Sequence, residues 1–201
     1  MSAIVKDDVD EKRRRVLIIA TSAAGAAVTA GVAVPFLASW FPSARALAAG
    51  APTEVDISRI EAGQQITVEW RGKPVWILSR TKEMLDNLTN HDGALTDPES
   101  KEQQQPEYIK GPTRSIKPEV FVAVGVCTHL GCSPTLKKEI GAASDMGADW
   151  PGGYYCPCHN SRFDLSARVF KGSPAPKNLV IPPYHYPSDG VVVIGEDAKK
   201  A

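Results

Sequence analysis

Cys127-Thr128-His129-Leu130-Gly131-Cys132 and Cys156-Pro157-Cys158-His159-Asn160-Ser161-Arg162-Phe163-Asp164 decide how this chain is read. The two stretches hold all 4 cysteines and two of the 4 histidines. The pattern C-x-H-x-x-C followed by C-x-C-H sets a thiol and an imidazole close together in each box, so one loop can aim both at one ion. Thiolates suit iron–sulfur clusters, and imidazoles suit borderline metals. A structural zinc could use two thiols and two imidazoles as well, but zinc fingers usually pair C-x-x-C with H-x₃₋₅-H. Here each box offers one ligand of each kind and leaves one cysteine over, which favours iron–sulfur chemistry.

Composition narrows the rest. The 201 residues allow one cored domain plus an accessory segment. Lys and Arg number 23, as do Asp and Glu, so net charge is zero and no basic surface points to nucleic acid. Sixteen Gly and 16 Pro suit a loop-rich β domain. Four cysteines are too few for a disulfide scaffold and fit a metal site with room for one bridge.

Outward towards the N-terminus, residues 1–15 are polar and end in Lys12-Arg13-Arg14-Arg15. From Val16 to Phe41 no charged side chain occurs, a run of 26 residues. At about 1.5 Å per residue such a helix exceeds the roughly 30 Å hydrocarbon core. We expect 16–41 to be a single transmembrane anchor in the lipid bilayer, with Trp40 at its outer interface. The basic cluster puts 1–15 in the cytoplasm, and so the following domain on the periplasmic side of a bacterial inner membrane. Arg13-Arg14-Arg15-Val16-Leu17 fits a twin-arginine export signal, the alternative being an ordinary positive-inside flank. Ala44-Arg45-Ala46 and Ala46-Leu47-Ala48 would permit cleavage, but the length of the run favours a retained anchor. Residues 42–52 read as a flexible hinge linker.

Residues 53–201 form the exported domain. Alternation predicts strands at Thr53–Ile57, Gln65–Trp70 and Val75–Leu78, the last two joined by a turn at Arg71–Pro74. Trp70 and Trp76 fall in these strands. Thr81 would cap a short helix to Leu88. Thr89–Ser115 is polar and reads as a surface excursion, with His91 solvated in it. Glu119–Val126 is a buried-type strand running into Cys127. Short strands follow at Arg168–Phe170, Leu179–Ile181 and Val191–Ile194, and His185 is expected to pack between Tyr184 and Tyr186. Lys137-Lys138 and Lys199-Lys200 read as solvated charge pairs. The sum is a mostly antiparallel β domain.

The boxes resemble those of the Rieske proteins, C-x-H-x-G-C and C-P-C-H-x-S, and the resemblance extends from the anchor to Ile194. It implies a Rieske-type β domain with a smaller cluster-binding β subdomain at about 120–177, after a single N-terminal transmembrane helix. It implies one [2Fe-2S] cluster, with Cys127 and Cys156 on one iron and His129 and His159 on the other. Cys132 and Cys158 would form a disulfide between the cluster loops, in keeping with an oxidising compartment. Gly172-Ser173-Pro174-Ala175-Pro176 is similar to the proline loop of the quinol-oxidising branch. The likeness is to iron–sulfur subunits of proteobacterial ubiquinol–cytochrome c reductases. That implies a subunit of a dimeric complex that takes an electron and a proton from ubiquinol beside a cytochrome b subunit. The resemblance further implies that the electron would pass to a c-type cytochrome subunit, contributing to proton translocation and respiration. His159 would meet the quinol, with His129 beside it. The small subunit of an exported molybdenum arsenite oxidase shares the signal and the cluster. The proline loop and the retained anchor favour the quinol complex.

Two positions depart from the family pattern. Asn160 stands where Gly is usual, and Asn tolerates left-handed backbone better than most residues. Phe163 stands where a Tyr often donates to a ligand sulfur, while Ser161, a donor to a bridging sulfide in the family, is kept. Leu130 and Pro174 are expected near the cluster tip, either shielding the cluster or touching a partner's quinol pocket.

Overall fold

Asp10 starts the long N-terminal helix: its carboxylate accepts from the backbone N–H groups of Lys12 and Arg13 at 3.0 and 3.2 Å, meeting donors that a helix start leaves open. In this computed structural model, which describes residues 10–198, helix α1 (Glu11–Ala38) runs 28 residues without a buried side chain. Among the described residues it is the one helix long and apolar enough to cross a membrane. The hydroxyls of Thr21 and Thr29 turn back onto the carbonyls of Leu17 and Gly25, 2.8 Å each, so neither brings an unmet donor into an apolar surrounding. The helix therefore begins before the expected span, taking in Arg13 to Arg15, and stops before its end. Trp40 lies beyond it, edge-on to Phe36 at 5.9 Å. Residues 1–9 of the expected cytoplasmic segment and the Lys199-Lys200 pair lie outside the described residues.

The expected linker is not irregular throughout: it holds helix α2 (Ala44–Ala49), with the Ser43 hydroxyl accepting from the N–H of Ala46 at 3.2 Å. The chain divides into two units, Met1–Leu47 and Ala48–Ala201.

The second unit carries three three-stranded antiparallel sheets among the described residues. The first joins β1 (Thr53–Asp56), β9 (Val191–Ile194) and β8 (Tyr184–Ser188) in that order. The second is β2 (Gln65–Trp70), β3 (Lys73–Ser79) and β4 (Val120–Val124). The third is β5 (Thr135–Lys137), β6 (Gly153–Cys156) and β7 (Ser161–Asp164). Trp70 pairs with Lys73, so β2 and β3 meet through a two-residue turn, Arg71-Gly72, with φ of 52° and 69°. Two positive φ values match the twist of a hairpin, and Pro74, expected in the turn, is already in the strand. Helix α3 (Lys82–Asn87) is capped by Thr81, whose hydroxyl accepts from the N–H of Met84 at 3.2 Å.

The metal boxes hang from this frame. Strand β4 belongs to the second sheet and delivers the chain to Gly125, where a Cβ would lie 2.3 Å from the Trp76 ring. Only glycine fits that approach. Trp76 in turn stacks on Tyr154 of β6, 4.7 Å between centroids and 6° apart. Such a stack contributes about 1 kcal/mol beyond area burial and ties the third sheet to the second.

Two expectations are modified for one reason. Thr89–Ser115 runs mostly over the surface, as expected, but is pinned to the domain at Leu95, Ile109, Arg114 and Ser115, which are buried, and Arg168–Phe170 and Leu179–Ile181 are not regular strands. Buried polar side chains take their backbone groups instead. Arg114, fully buried, donates to Gln105 Oε1 at 2.7 Å and to the carbonyls of Ser166 and Leu179 at 2.9 and 2.8 Å. Arg80, also buried, donates to the carbonyls of Pro118 and Thr113 and to the hydroxyls of Ser115 and Ser166. Burial lowers both guanidinium pKa values to about 10, so both stay charged at neutral pH. Asn178 takes up the N–H of Val169 at 2.8 Å and donates to Asp97 and Ser100. Leu95 and Ile109 from the same stretch join the core.

Candidate metal centre

Box one is a closed loop between β4 and β5. The N–H of Cys127 donates to the carbonyl of Cys132 at 2.7 Å, and that of Gly131 to the carbonyl of Cys127 at 3.0 Å. Gly131 sits at φ 85°, a left-handed position that glycine takes freely. Box two is the β6–β7 hairpin turn, with Cys156 opposite Ser161. The N–H of Asn160 donates to the carbonyl of Cys156 at 2.9 Å, and Asn160 has φ 63°. Asn at this turn thus holds the conformation that glycine would hold.

A disulfide between Cys132 and Cys158, 26 residues apart in sequence, joins the two turns. Cys127 and Cys156 are free and buried. The sulfurs of Cys132, Cys156 and Cys158 lie within 4.8 Å of one another, but two of these are spent in the disulfide and offer no thiolate. The useful neighbour of Cys156 is Cys127, whose thiol it contacts. Burial pushes the Cys127 thiol above its ordinary pKa, while the backbone N–H of His129 and the Ser161 hydroxyl favour the thiolate. The rings of His129 and His159 meet edge to face with centroids 4.7 Å apart. His129 Nδ1 is buried with no hydrogen-bond partner, whereas His159 is exposed.

Two buried thiols, two facing imidazoles and a buried ring nitrogen without a partner fit a two-iron cluster. A buried polar atom left unpaired costs free energy, and a metal bond would remove that cost.

A third loop closes over the boxes. Gly172–Pro176 presents Pro174 and Pro176 outward and buries Ala175, whose N–H donates to Ser161 Oγ at 3.0 Å. The N–H of Arg162 donates to Ser173 Oγ at 3.0 Å. Leu130 stands 71% exposed on box one. Phe163 is fully buried opposite Tyr154.

Below Phe163 lies a network that sequence reading missed. Asp164 and Arg168 are both fully buried and paired at 2.7 Å. Arg168 also reaches Asp92 at 2.7 Å and the carbonyl of Leu88 at 2.6 Å. His91 is not solvated: its side chain is 13% exposed, its Nε2 is 3.4 Å from Asp164, and its ring stacks on Phe170. In the sequence Asp164 is only the last residue of the second box and Arg168 the first of a strand-like stretch. Nothing local marks His91, 73 residues away from Asp164. His185 lies in β8 with Nδ1 3.4 Å from the carbonyl of Glu196, apart from the centre.

Three antiparallel sheets and two clamped loops with facing thiols and imidazoles define a Rieske-type iron–sulfur domain, which binds a [2Fe-2S] cluster. The family profile "Rieske [2Fe-2S] domain" matches residues 54–185. A second profile, "Ubiquitinol-cytochrome C reductase Fe-S subunit TAT signal", matches residues 5–43. The ubiquinol–cytochrome c reductase iron–sulfur subunit of Allochromatium vinosum is 58% identical over 193 residues, covering 96% of this chain and 93% of that one. The subunits of Blastochloris viridis and Bradyrhizobium diazoefficiens are each 42% identical, covering 94% and 91% of this chain and 96% and 94% of theirs. The chain belongs to the family of iron–sulfur subunits of ubiquinol–cytochrome c reductase. It is thus one subunit of a multi-subunit cytochrome bc oxidoreductase, with a twin-arginine signal and an apolar helix that fit a membrane-anchored bacterial protein.

Proposed function

We propose that Cys127 and Cys156 bind one iron of the cluster and His129 and His159 the other, and that His159 is the contact for ubiquinol. The exposed ring of His159, at a turn clamped by the Cys132–Cys158 disulfide and flanked by exposed Leu130 and Pro174, carries this reading. Held by these four residues, the cluster would supply a one-electron acceptor whose potential the two imidazole ligands raise, within roughly −150 to +300 mV. With its outer ring nitrogen deprotonated, His159 would accept the hydrogen bond of a quinol hydroxyl and then hold the proton as a neutral imidazole. Ser161 and the His129 N–H stabilise negative charge on Cys127. Leu130, Pro174 and the rest of the third loop keep water from the sulfurs. The quinol sits in the cytochrome b subunit, on the periplasmic side of the bilayer, and the electron goes on to the c-type cytochrome subunit of a dimeric complex. Residues 42–52 let the domain serve both sites.

Electron paramagnetic resonance of the membrane complex after ubiquinol addition tests this. A reduced Rieske signal is expected, and it should vanish in His159→Ala while the other subunits remain assembled. A signal that forms normally in that variant would remove His159 from both roles.

A further inference from the structure

Asn160 is the only residue of the two boxes other than glycine that takes a positive φ. Its N–H is held by the carbonyl of Cys156 at 2.9 Å. Its side chain is held too: Asn160 Oδ1 accepts the hydroxyl proton of Tyr155. Tyr155 precedes Cys156 on β6 and lies opposite Arg162 of β7. The bond therefore runs across the turn, from the foot of one hairpin arm to the last residue before the other. Inside it sit Cys156, Pro157, Cys158 and His159. His159 is exposed, so its placement depends on its chain neighbours: the disulfide at Cys158 on one side and Asn160 on the other. Residues other than glycine favour negative φ. A turn closed at Asn160 thus has a tendency to relax, and the Tyr155 hydroxyl opposes it.

We propose that Tyr155 and Asn160 are a positioning pair for the quinol-facing histidine. Their side-chain hydrogen bond holds the second box in one backbone conformation and presents the His159 ring in one direction. This rests on the reading of His159 as the quinol contact. Orientation is where small displacements weigh most, because the productive geometry spans only a few tenths of an ångström. A tyrosine that only filled surface would leave quinol affinity untouched.

The test uses the intact membrane complex carrying Tyr155→Phe, Asn160→Gly, Asn160→Asp, and Tyr155→Phe with Asn160→Gly. Cluster content and spectrum are measured beside KM and kcat for ubiquinol. Tyr155→Phe should raise KM about fivefold, the scale of one neutral hydrogen bond, with cluster content unchanged. Asn160→Gly should raise KM comparably, and adding Tyr155→Phe to it should change nothing more. Asn160→Asp keeps an acceptor and should move KM less than Asn160→Gly does. A wild-type KM in Tyr155→Phe, additive effects in the double variant, or a loss of cluster with KM unchanged would each overturn the pairing. If the wild-type complex fails to oxidise ubiquinol, the functional reading falls instead.

Discussion

The Thr128 hydroxyl donates to the carbonyl of Lys177 at 2.6 Å, tying the first metal box to the far end of the proline loop. Between them Ala175 is pinned to Ser161, so the loop is fastened at both ends of its cover. Thr128→Val keeps the shape and removes the donor. A net loss of about 1 kcal/mol is expected, or about 2–4 °C in the temperature at which the visible cluster absorbance is lost. Melting unchanged within a degree would mean the loop is held by packing alone.

Ser161 is fully buried and its hydroxyl faces the Cys127 sulfur. Hydrogen bonds to charged acceptors contribute about 1.5–3 kcal/mol. The reduced cluster carries more negative charge, so such a bond favours reduction. If the two redox states differ by about 1 kcal/mol, the potential moves by roughly 40 mV. Ser161→Ala should therefore lower the midpoint by that order, and Phe163→Tyr, which adds a donor, should raise it. Voltammetry of the two variants decides; a rise in Ser161→Ala would contradict the charge argument.

Asp164 is buried, which alone would raise its pKa, but the hydrogen bond from His91 and the charge and hydrogen bonds of Arg168 outweigh burial and hold it below the ordinary value. A depressed folded pKa means that the ionised form stabilises the fold. That stability is complete above the unfolded value, about 4, and is lost as pH falls through the folded value. Stability should stay level from neutral pH to about 4 and drop below it. Asp164→Asn leaves the charge of Arg168 buried beside only Asp92, and should cost about 3–5 kcal/mol at pH 7. Its acid limb should also be shallower. Urea unfolding at pH 7 and pH 3 measures both, and equal acid slopes in the two proteins would acquit Asp164.

Sequence reading reached the two boxes because ligand chemistry demands particular side chains at short spacing, and Cys127, His129, Cys156 and His159 cannot be confused with packing residues. It reached the β2–β3 hairpin because alternation is local. It failed where distant polar groups replace ladder bonds. Arg168 donates its N–H to Asp164 at 2.7 Å and Val169 donates its own to Asn178, so a stretch of strand-like residues forms only isolated bridges. Arg114 lies in a polar stretch that reads as solvent-facing, and only the carbonyls around it, far away in sequence, explain why it is buried. The same holds for His91, whose partners are Asp164, at the end of β7, and Phe170, which forms an isolated bridge with Leu95, both far along the chain.

The segment joining anchor and domain bears on turnover. Reading 42–52 as a hinge predicts freedom, yet Ala44–Ala49 is helical. A six-residue helix is below the length at which helices persist in water unaided. It can therefore melt and re-form at small cost, which changes the reach of the tether. Prolines at Ala46 and Ala48 would forbid the helix and stiffen the chain in extended form. Such a variant should assemble with a normal cluster spectrum and a normal midpoint, but turn over more slowly, since one of the two electron-transfer partners becomes harder to reach. Inserting glycines at the same two positions separates the causes: it removes the helix but not the flexibility, and should restore most of the rate. Wild-type turnover in the proline variant would show that the domain does not need to move between its partners.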